Sequence, residues 1–211
     1  MLELDKIYCM DCIEGIKQLP DGIIDLVLTD PIYQNLEDYK FLFSVSSKIL
    51  KPSGQLICYF ADIYLPDILK YSFGNLKWIK LIVERNVGTK GTLWKYHCKT
   101  GCKHAMWFYK PPFPKEIEWT TDFIYSKPDG NNVEHKWGKN YPSIYELIKR
   151  HTHTNDIILD PYVGSGTTAV ACKRLGRHFI GFEINPDYVE IANKRLKNVP
   201  EKLESFNMEM N

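Results

Sequence analysis

Apolar and polar positions along the chain fall into short blocks that change period, and the changes predict strands alternating with helices. Compact apolar runs rich in β-branched and aromatic residues predict strands at 6–9, 24–29, 55–60, 78–84, 105–109, 157–160 and 178–182. Amphipathic spacing predicts helices at 13–19, 37–50, 65–71, 143–151, 167–175 and 186–196. Ser143, followed three residues later by Glu146, reads as the capping box that opens the helix at 143. Residues 111–140 are rich in Pro, Gly, Asn and charge and read as loop, and nothing regular is expected after residue 200. Strands alternating with helices over a single-domain length imply an α/β fold, a doubly wound and mostly parallel sheet.

Two of these strands end in residues that a buried strand does not need. The run at 24–29 stops at Asp30, Pro31, Ile32 and Tyr33. The run at 157–160 ends in Asp160, then passes through Gly164, Ser165, Gly166 and Thr167 into a helix, a further strand and Glu183. The second series is how a doubly wound sheet holds a nucleoside cofactor: glycines allow a tight turn and close backbone approach, and an acid after the next strand meets ribose hydroxyls. The turn lacks a third glycine and carries no basic residue for a pyrophosphate, which argues against a dinucleotide. A strand-end carboxylate suits a ligand with a positive centre, and a cofactor with an amino-acid tail and a sulfonium, S-adenosylmethionine, fits better.

The bulk numbers place limits on this reading. The chain has 211 residues, 44% apolar and 25% charged, which suits one globular domain. No run is long enough for a membrane span, and "MLELDKIYCM" lacks the pattern of a signal peptide, so a cytoplasmic protein with its six cysteines reduced is expected. The net charge of +1 hides a basic middle: nine Lys or Arg residues stand between Lys77 and Lys115 against one acid, Glu84. Trp78, Trp94, Tyr96, Trp107, Phe108, Tyr109 and Phe113 are interleaved with them. Lysines for phosphates and rings for unpaired bases make a nucleic-acid surface, while a solvated basic face over an aromatic core is the alternative. The His and Cys residues of "HCKTGCKH" (97–104) read as a phosphate-contacting loop in preference to a zinc site.

The segments "IYCMDCIEGIKQLPDGIIDLVLTDPIY", "KILKPSGQLICYF", "HAMWFYK" and "ILDPYVGSGTTAVACKRLGRHFIGFEINPDYVEIANKRL" resemble the amino-group DNA methyltransferases, which methylate adenine N6 or cytosine N4. The catalytic segment precedes the cofactor loop, as in the permuted β class of that family. The resemblance implies residues 1–211 as a single methyltransferase domain, with 74–140 as a target-recognition insertion. It implies S-adenosylmethionine as cofactor, with Asp160, Gly164, Ser165, Gly166 and Thr167 along its methionine part. Glu183 would take the ribose hydroxyls and Asp11 the adenine amine; N-capping of the helix near Ile13 is the other role open to Asp11. Lys90, Lys95, Lys99 and His104 would reach DNA. A homodimer and a cognate restriction endonuclease are the further partners the resemblance admits, in a prokaryotic cell or phage-infected host, with no membrane and no metal.

For the first strand end the resemblance and the chemistry agree. An exocyclic amine is a poor nucleophile because its lone pair is delocalised into the ring. Asp30 would accept one N–H and the Pro31 carbonyl the other, aiming the nitrogen lone pair at the sulfonium methyl. Tyr33 would stack on a base flipped from the duplex. Ile32 departs from the family's Asp-Pro-Pro-Tyr and removes one constraint on the backbone. In the family that the chain resembles, Asp rather than Ser at position 30 tends to go with adenine N6. Cytosine N4 methylation, or a catalytically impaired DNA-binding protein of the same fold, is the alternative.

Overall fold

A computed structural model of the protein describes residues 2–31, 35–71, 73–86, 91–93, 97–113, 120–126 and 141–199. In chain order the described elements are β1 (Lys6–Cys9), α1 (Cys12–Ile16), β2 (Ile24–Thr29), α2 (Leu36–Ile49), β3 (Leu50–Phe60), a 3-10 turn (Asp62–Tyr64) and α3 (Leu65–Ile68). Next come β4 (Lys77–Asn86), β5 (Gly91–Leu93), β6 (Cys98–Thr100), β7 (Cys102–Tyr109) and β8 (Phe123–Ser126). The chain continues through α4 (Tyr141–His151), β9 (Ile157–Asp160), α5 (Thr167–Leu175), β10 (His178–Glu183) and α6 (Pro186–Lys197). Eight strands form one sheet in the order β1-β10-β9-β2-β3-β7-β4-β8, and β5 with β6 makes a separate hairpin. The five strands from β1 to β3 are parallel; β7 runs antiparallel between β3 and β4.

Central parallel strands are covered on both faces and must be apolar on both, which is why β2 reads as the nearly unbroken run IDLVLT. One face packs Leu26, Leu28, Ile57 and Ile158 against α4, α5 and α6 through Ile144, Leu147, Ala169, Cys172 and Ala192. The other packs Val27, Leu56, Cys58 and Leu159 against α1 and α2 through Ile16, Tyr39, Leu42 and Phe43. The helices begin and end on local chemistry. Asn185 caps α6 by accepting from Asp187 N–H, with Pro186 in the first turn, and Gly176 closes α5 in the left-handed region at φ 69°. Helix α1 lies so close to β10 that a Cβ on Gly15 would stand 2.2 Å from the Phe182 ring.

A buried polar knot ties α4 to the sheet. Gln55 Oε1 accepts from Trp107 Nε1 at 2.7 Å and faces His151 Nδ1 at 3.1 Å, while Gln55 Nε2 donates to the His151 carbonyl at 3.1 Å. Burial, then the neighbouring Arg150 charge, hold the His151 pKa down at about 3, so this imidazole is neutral.

Two sequence expectations are corrected. Helix α4 begins at Tyr141, two residues before Ser143; Ser143 is buried within the first turn and its Oγ has no hydrogen-bond partner among the described residues, so it is no cap. The loop reading of 111–140 fails at β8, which pairs with β4 from Val83↔Phe123 to Asn86↔Ser126. Four residues carry too little periodicity to register, and this strand is held from outside by Arg150 Nη1 on the Thr121 and Phe123 carbonyls. Strands β4, β7 and β8 therefore build the sheet itself.

Candidate active site

Sequence neighbours diverge between β9 and β2: from β2 the chain moves outward to β3, and from β9 it moves the other way to β10. Such a switch point opens a crevice at the carboxyl ends of the strands, where α/β sheets bind ligands. Asp160 ends β9 on one side of it, and Asp30 follows β2 on the other.

Asp160 is 2% exposed, and its carboxylate is supplied with donors from three places. Oδ1 accepts from Thr29 Oγ1 at 3.0 Å and Tyr162 N–H at 3.1 Å, and Oδ2 accepts from Thr168 Oγ1 at 2.6 Å. The charge expected to face a positive ligand is thus also the node joining β2, β9 and α5. Beyond it the turn is set by two left-handed glycines. A Cβ on Gly164 (φ 52°) would meet no atom within 4 Å, so open space lies beside its backbone, whereas a Cβ on Gly166 (φ 83°) would stand 2.7 Å from Ala192 Cβ. The first glycine leaves room for a ligand; the second lets α6 approach.

Glu183 ends β10 with both oxygens oriented by backbone: Oε2 accepts from Gly164 N–H at 3.0 Å and Oε1 from Asn185 N–H at 2.8 Å. Each oxygen keeps a lone pair for a hydroxyl. Asp11 follows β1, the strand beside β10, and it does cap α1, through Oδ1 to Ile13 N–H at 2.8 Å and Glu14 N–H at 3.4 Å. The cap uses Oδ1 alone and leaves the second oxygen outside it.

At the tip of β2, Pro31 is buried and Asp30 partly so, and Asp30 Oδ1 is buried with no hydrogen-bond partner among the described residues. Tyr33 and Ile32 lie outside the described residues, as do Lys90 and Lys95. Lys99 is exposed on β6, in the hairpin between the end of β4 and the start of β7. Because β7 is antiparallel to β3, pairing Phe60 with His104, that hairpin rises from the same edge of the sheet as Asp30. His104 is held there by Asp62, Nδ1 to Oδ1 at 2.6 Å. Among the described residues no group of three or more His, Cys, Asp or Glu is placed to hold a metal ion, and no helix is long and apolar enough to cross a membrane.

The site also contains residues that sequence reasoning passed over. Arg195 reaches back from α6, and its Nη1 donates to the Ser165 carbonyl at 2.7 Å, Ser165 Oγ at 2.9 Å and Thr167 Oγ1 at 3.3 Å. Nothing near position 195 signals this, since the contact spans 30 residues. Tyr162 faces Cys12 and Asp38, and burial pushes the Asp38 carboxyl up despite hydrogen bonds from Tyr162 and Asn35. Thr29 and Thr168 carry the hydroxyls that Asp160 needs, a role visible only once the strand tips are side by side.

A mostly parallel sheet with a glycine turn and two acids at its switch point has the fold of the S-adenosylmethionine-dependent DNA methyltransferases. Within that class the chain belongs to the N6/N4 amino-group DNA methylase family, whose model matches residues 24–194. The chain is 27% identical over 239 residues to the type II methyltransferase M.HpaI of Haemophilus parainfluenzae, covering 90% of this chain and 74% of the relative. It is 25% identical over 264 residues to M.HinfI of Haemophilus influenzae, covering 98% and 73%. The crystal structure of an M1.HpyAVI complex with S-adenosylmethionine superposes with a TM-score of 0.74 at 26% identity, over 90% of this chain and 98% of that one. The cytosine-N4-specific PvuII methyltransferase shares the fold, with a TM-score of 0.76 at 21% identity over 93% and 88%.

Proposed function

We propose that this DNA methylase transfers the methyl group of S-adenosylmethionine to the N6 amine of an adenine flipped out of DNA. The observation that carries the reading is Asp30 Oδ1, a buried acceptor with no partner among the described residues, at the switch point. Leaving such an atom unsatisfied costs about 1–3 kcal/mol, and a site that hydrogen-bonds a substrate amine recovers it. Asp30 accepts one amine N–H, and the Pro31 carbonyl is the acceptor for the other. Held this way, the nitrogen is drawn toward tetrahedral geometry with its lone pair directed outward.

The residues present fit the cofactor. Open space beside Gly164 admits a ligand to the backbone, Glu183 is oriented for vicinal hydroxyls, and Asp11 keeps an oxygen for the adenine amine. When bound, S-adenosylmethionine supplies an activated methyl group. Asp160, Gly164, Ser165, Gly166 and Thr167 line its methionine end in this reading. Within residues 74–140, which also contribute β4, β7 and β8 to the sheet, target recognition falls to the β5–β6 hairpin segment with Lys90, Lys95 and Lys99, and to His104. Replacing the three lysines together by alanine should weaken DNA binding and flatten its salt slope by up to roughly three units, with cofactor affinity unchanged.

The deciding experiment is incubation with methyl-labelled S-adenosylmethionine and DNA, followed by nucleoside analysis. Label in N6-methyladenine is the expected result. Label in N4-methylcytosine would keep the chemistry but reverse the base, and DNA binding without label would mark a catalytically impaired protein.

A further inference from the structure

We propose that Thr29 is a positioning residue, whose hydroxyl bond to Asp160 sets the placement of Asp30 against the cofactor loop. The proposal rests on the reading of Asp30 as the acceptor-side carboxylate. The backbone ladder between β2 and β9 pairs Leu26 with Ile158 and Val27 with Leu159. Asp30 stands three residues beyond the last of these rungs. On the other side of β9 the ladder to β10 continues as far as Gly181↔Asp160. The two strand tips that carry the donor and acceptor halves of the site are thus joined past Val27 by a side-chain bond, Thr29 Oγ1 to Asp160 Oδ1 at 3.0 Å.

Both partners are sealed from solvent, at 1% for Thr29 and 2% for Asp160. A buried hydroxyl bond to a charged group is stronger than one at the surface and tolerates less displacement. Asp160 is itself fixed by Tyr162 N–H and Thr168 Oγ1, so the anchor that Thr29 grips belongs rigidly to the cofactor loop. Asp30 is the next residue along the chain from that grip. Transfer between two bound groups is sensitive to misplacement on the scale of an ångström, which costs about a hundredfold in rate.

Valine matches threonine in shape and removes only the hydroxyl, so Thr29→Val tests the bond, with Thr29→Ser as the conservative rescue. Single-turnover methyl transfer at saturating S-adenosylmethionine and DNA, S-adenosylmethionine affinity by calorimetry, and the thermal midpoint would be measured for each. We expect Thr29→Val to slow transfer by at least about tenfold while cofactor affinity stays within about twofold, and Thr29→Ser to return the rate to within about threefold of wild type. A Thr29→Val rate within twofold of wild type, or a cofactor affinity that falls in proportion to the rate, overturns the proposal. If neither Thr29→Val nor Thr29→Ala folds, Thr29 is a structural residue and the proposal is equally overturned. A wild-type protein that transfers no methyl to DNA sinks the reading of Asp30 and takes this inference with it, an outcome separate from any defect of the variants.

Discussion

In the proposed reading, the donor and acceptor halves of the site differ in how their polar atoms are spent. On the donor side Asp160 holds three protein hydrogen bonds, Glu183 holds two, and Ser165 and Thr167 share the guanidinium of Arg195. On the acceptor side Asp30 keeps a buried oxygen with no partner among the described residues. A fully satisfied network is rigid, and a lone buried acceptor is a cost that folding alone would remove. On that reading, the contrast means that the cofactor loop is shaped by the protein for itself, whereas the acceptor tip would be completed by its substrate.

The largest effect should come from the unsatisfied side. Asp30→Ala is expected to lower turnover by at least about a thousandfold while S-adenosylmethionine affinity, measured by calorimetry, stays within about twofold, because the lost interaction belongs to the transition state. Retained turnover would break the contrast. On the satisfied side, Gly166→Ala forces a Cβ into the left-handed region and against Ala192 at 2.7 Å. Strain and overpacking together should destabilise by about 2–4 kcal/mol in urea unfolding, with cofactor binding lost in parallel. Such a change acts through structure, unlike that at Asp30.

Arg195→Gln sharpens the comparison at smaller scale. It removes the clamp on Ser165 and Thr167 and should weaken S-adenosylmethionine binding about tenfold, with turnover at saturating cofactor near wild type. A fall in turnover without loss of affinity would move Arg195 to the acceptor side. The smallest effect is expected away from both halves, at His151. Its folded pKa of about 3 lies below the ordinary value of 6.5, so above pH 6.5 both folded and unfolded states are neutral there and no penalty exists. Between pH 6.5 and 3 the unfolded chain takes up a proton that the folded protein refuses, and stability falls as pH falls, by at most about 1.4 kcal/mol per pH unit. Chemical denaturation across pH 7 to 5 should show a shallower slope for His151→Gln than for the wild type; identical slopes would place the acid sensitivity elsewhere.

Much of this arrangement could be read along the chain because its signals are local. The apolar run of β2, the Gly164–Gly166 turn and the Glu183 strand end are each contiguous, and β1, β2, β9 and α5 have the bounds their patterns predict. What escaped was contact between distant segments. The clamp of Arg195, the hydroxyls of Thr29 and Thr168 and the pairing of β8 with β4 depend on neighbours that no local period encodes. Ser143 misled for the opposite reason: its spacing to Glu146 imitates a cap, but the helix had already begun at Tyr141.

The bond between Thr29 and Asp160 also spans 131 residues, and this separation has a meaning for the growing chain. One edge of β2 is claimed early by β3, but the other must await β9. At synthesis rates of about 5–20 residues per second, that edge stays open for on the order of 7–26 s. Throughout this interval IDLVLT presents unpaired backbone and apolar side chains to whatever strand is nearby. The strand tip that ends at the switch point in the finished protein is therefore, on the ribosome, an open apolar edge and an aggregation hazard for as long as β9 is missing.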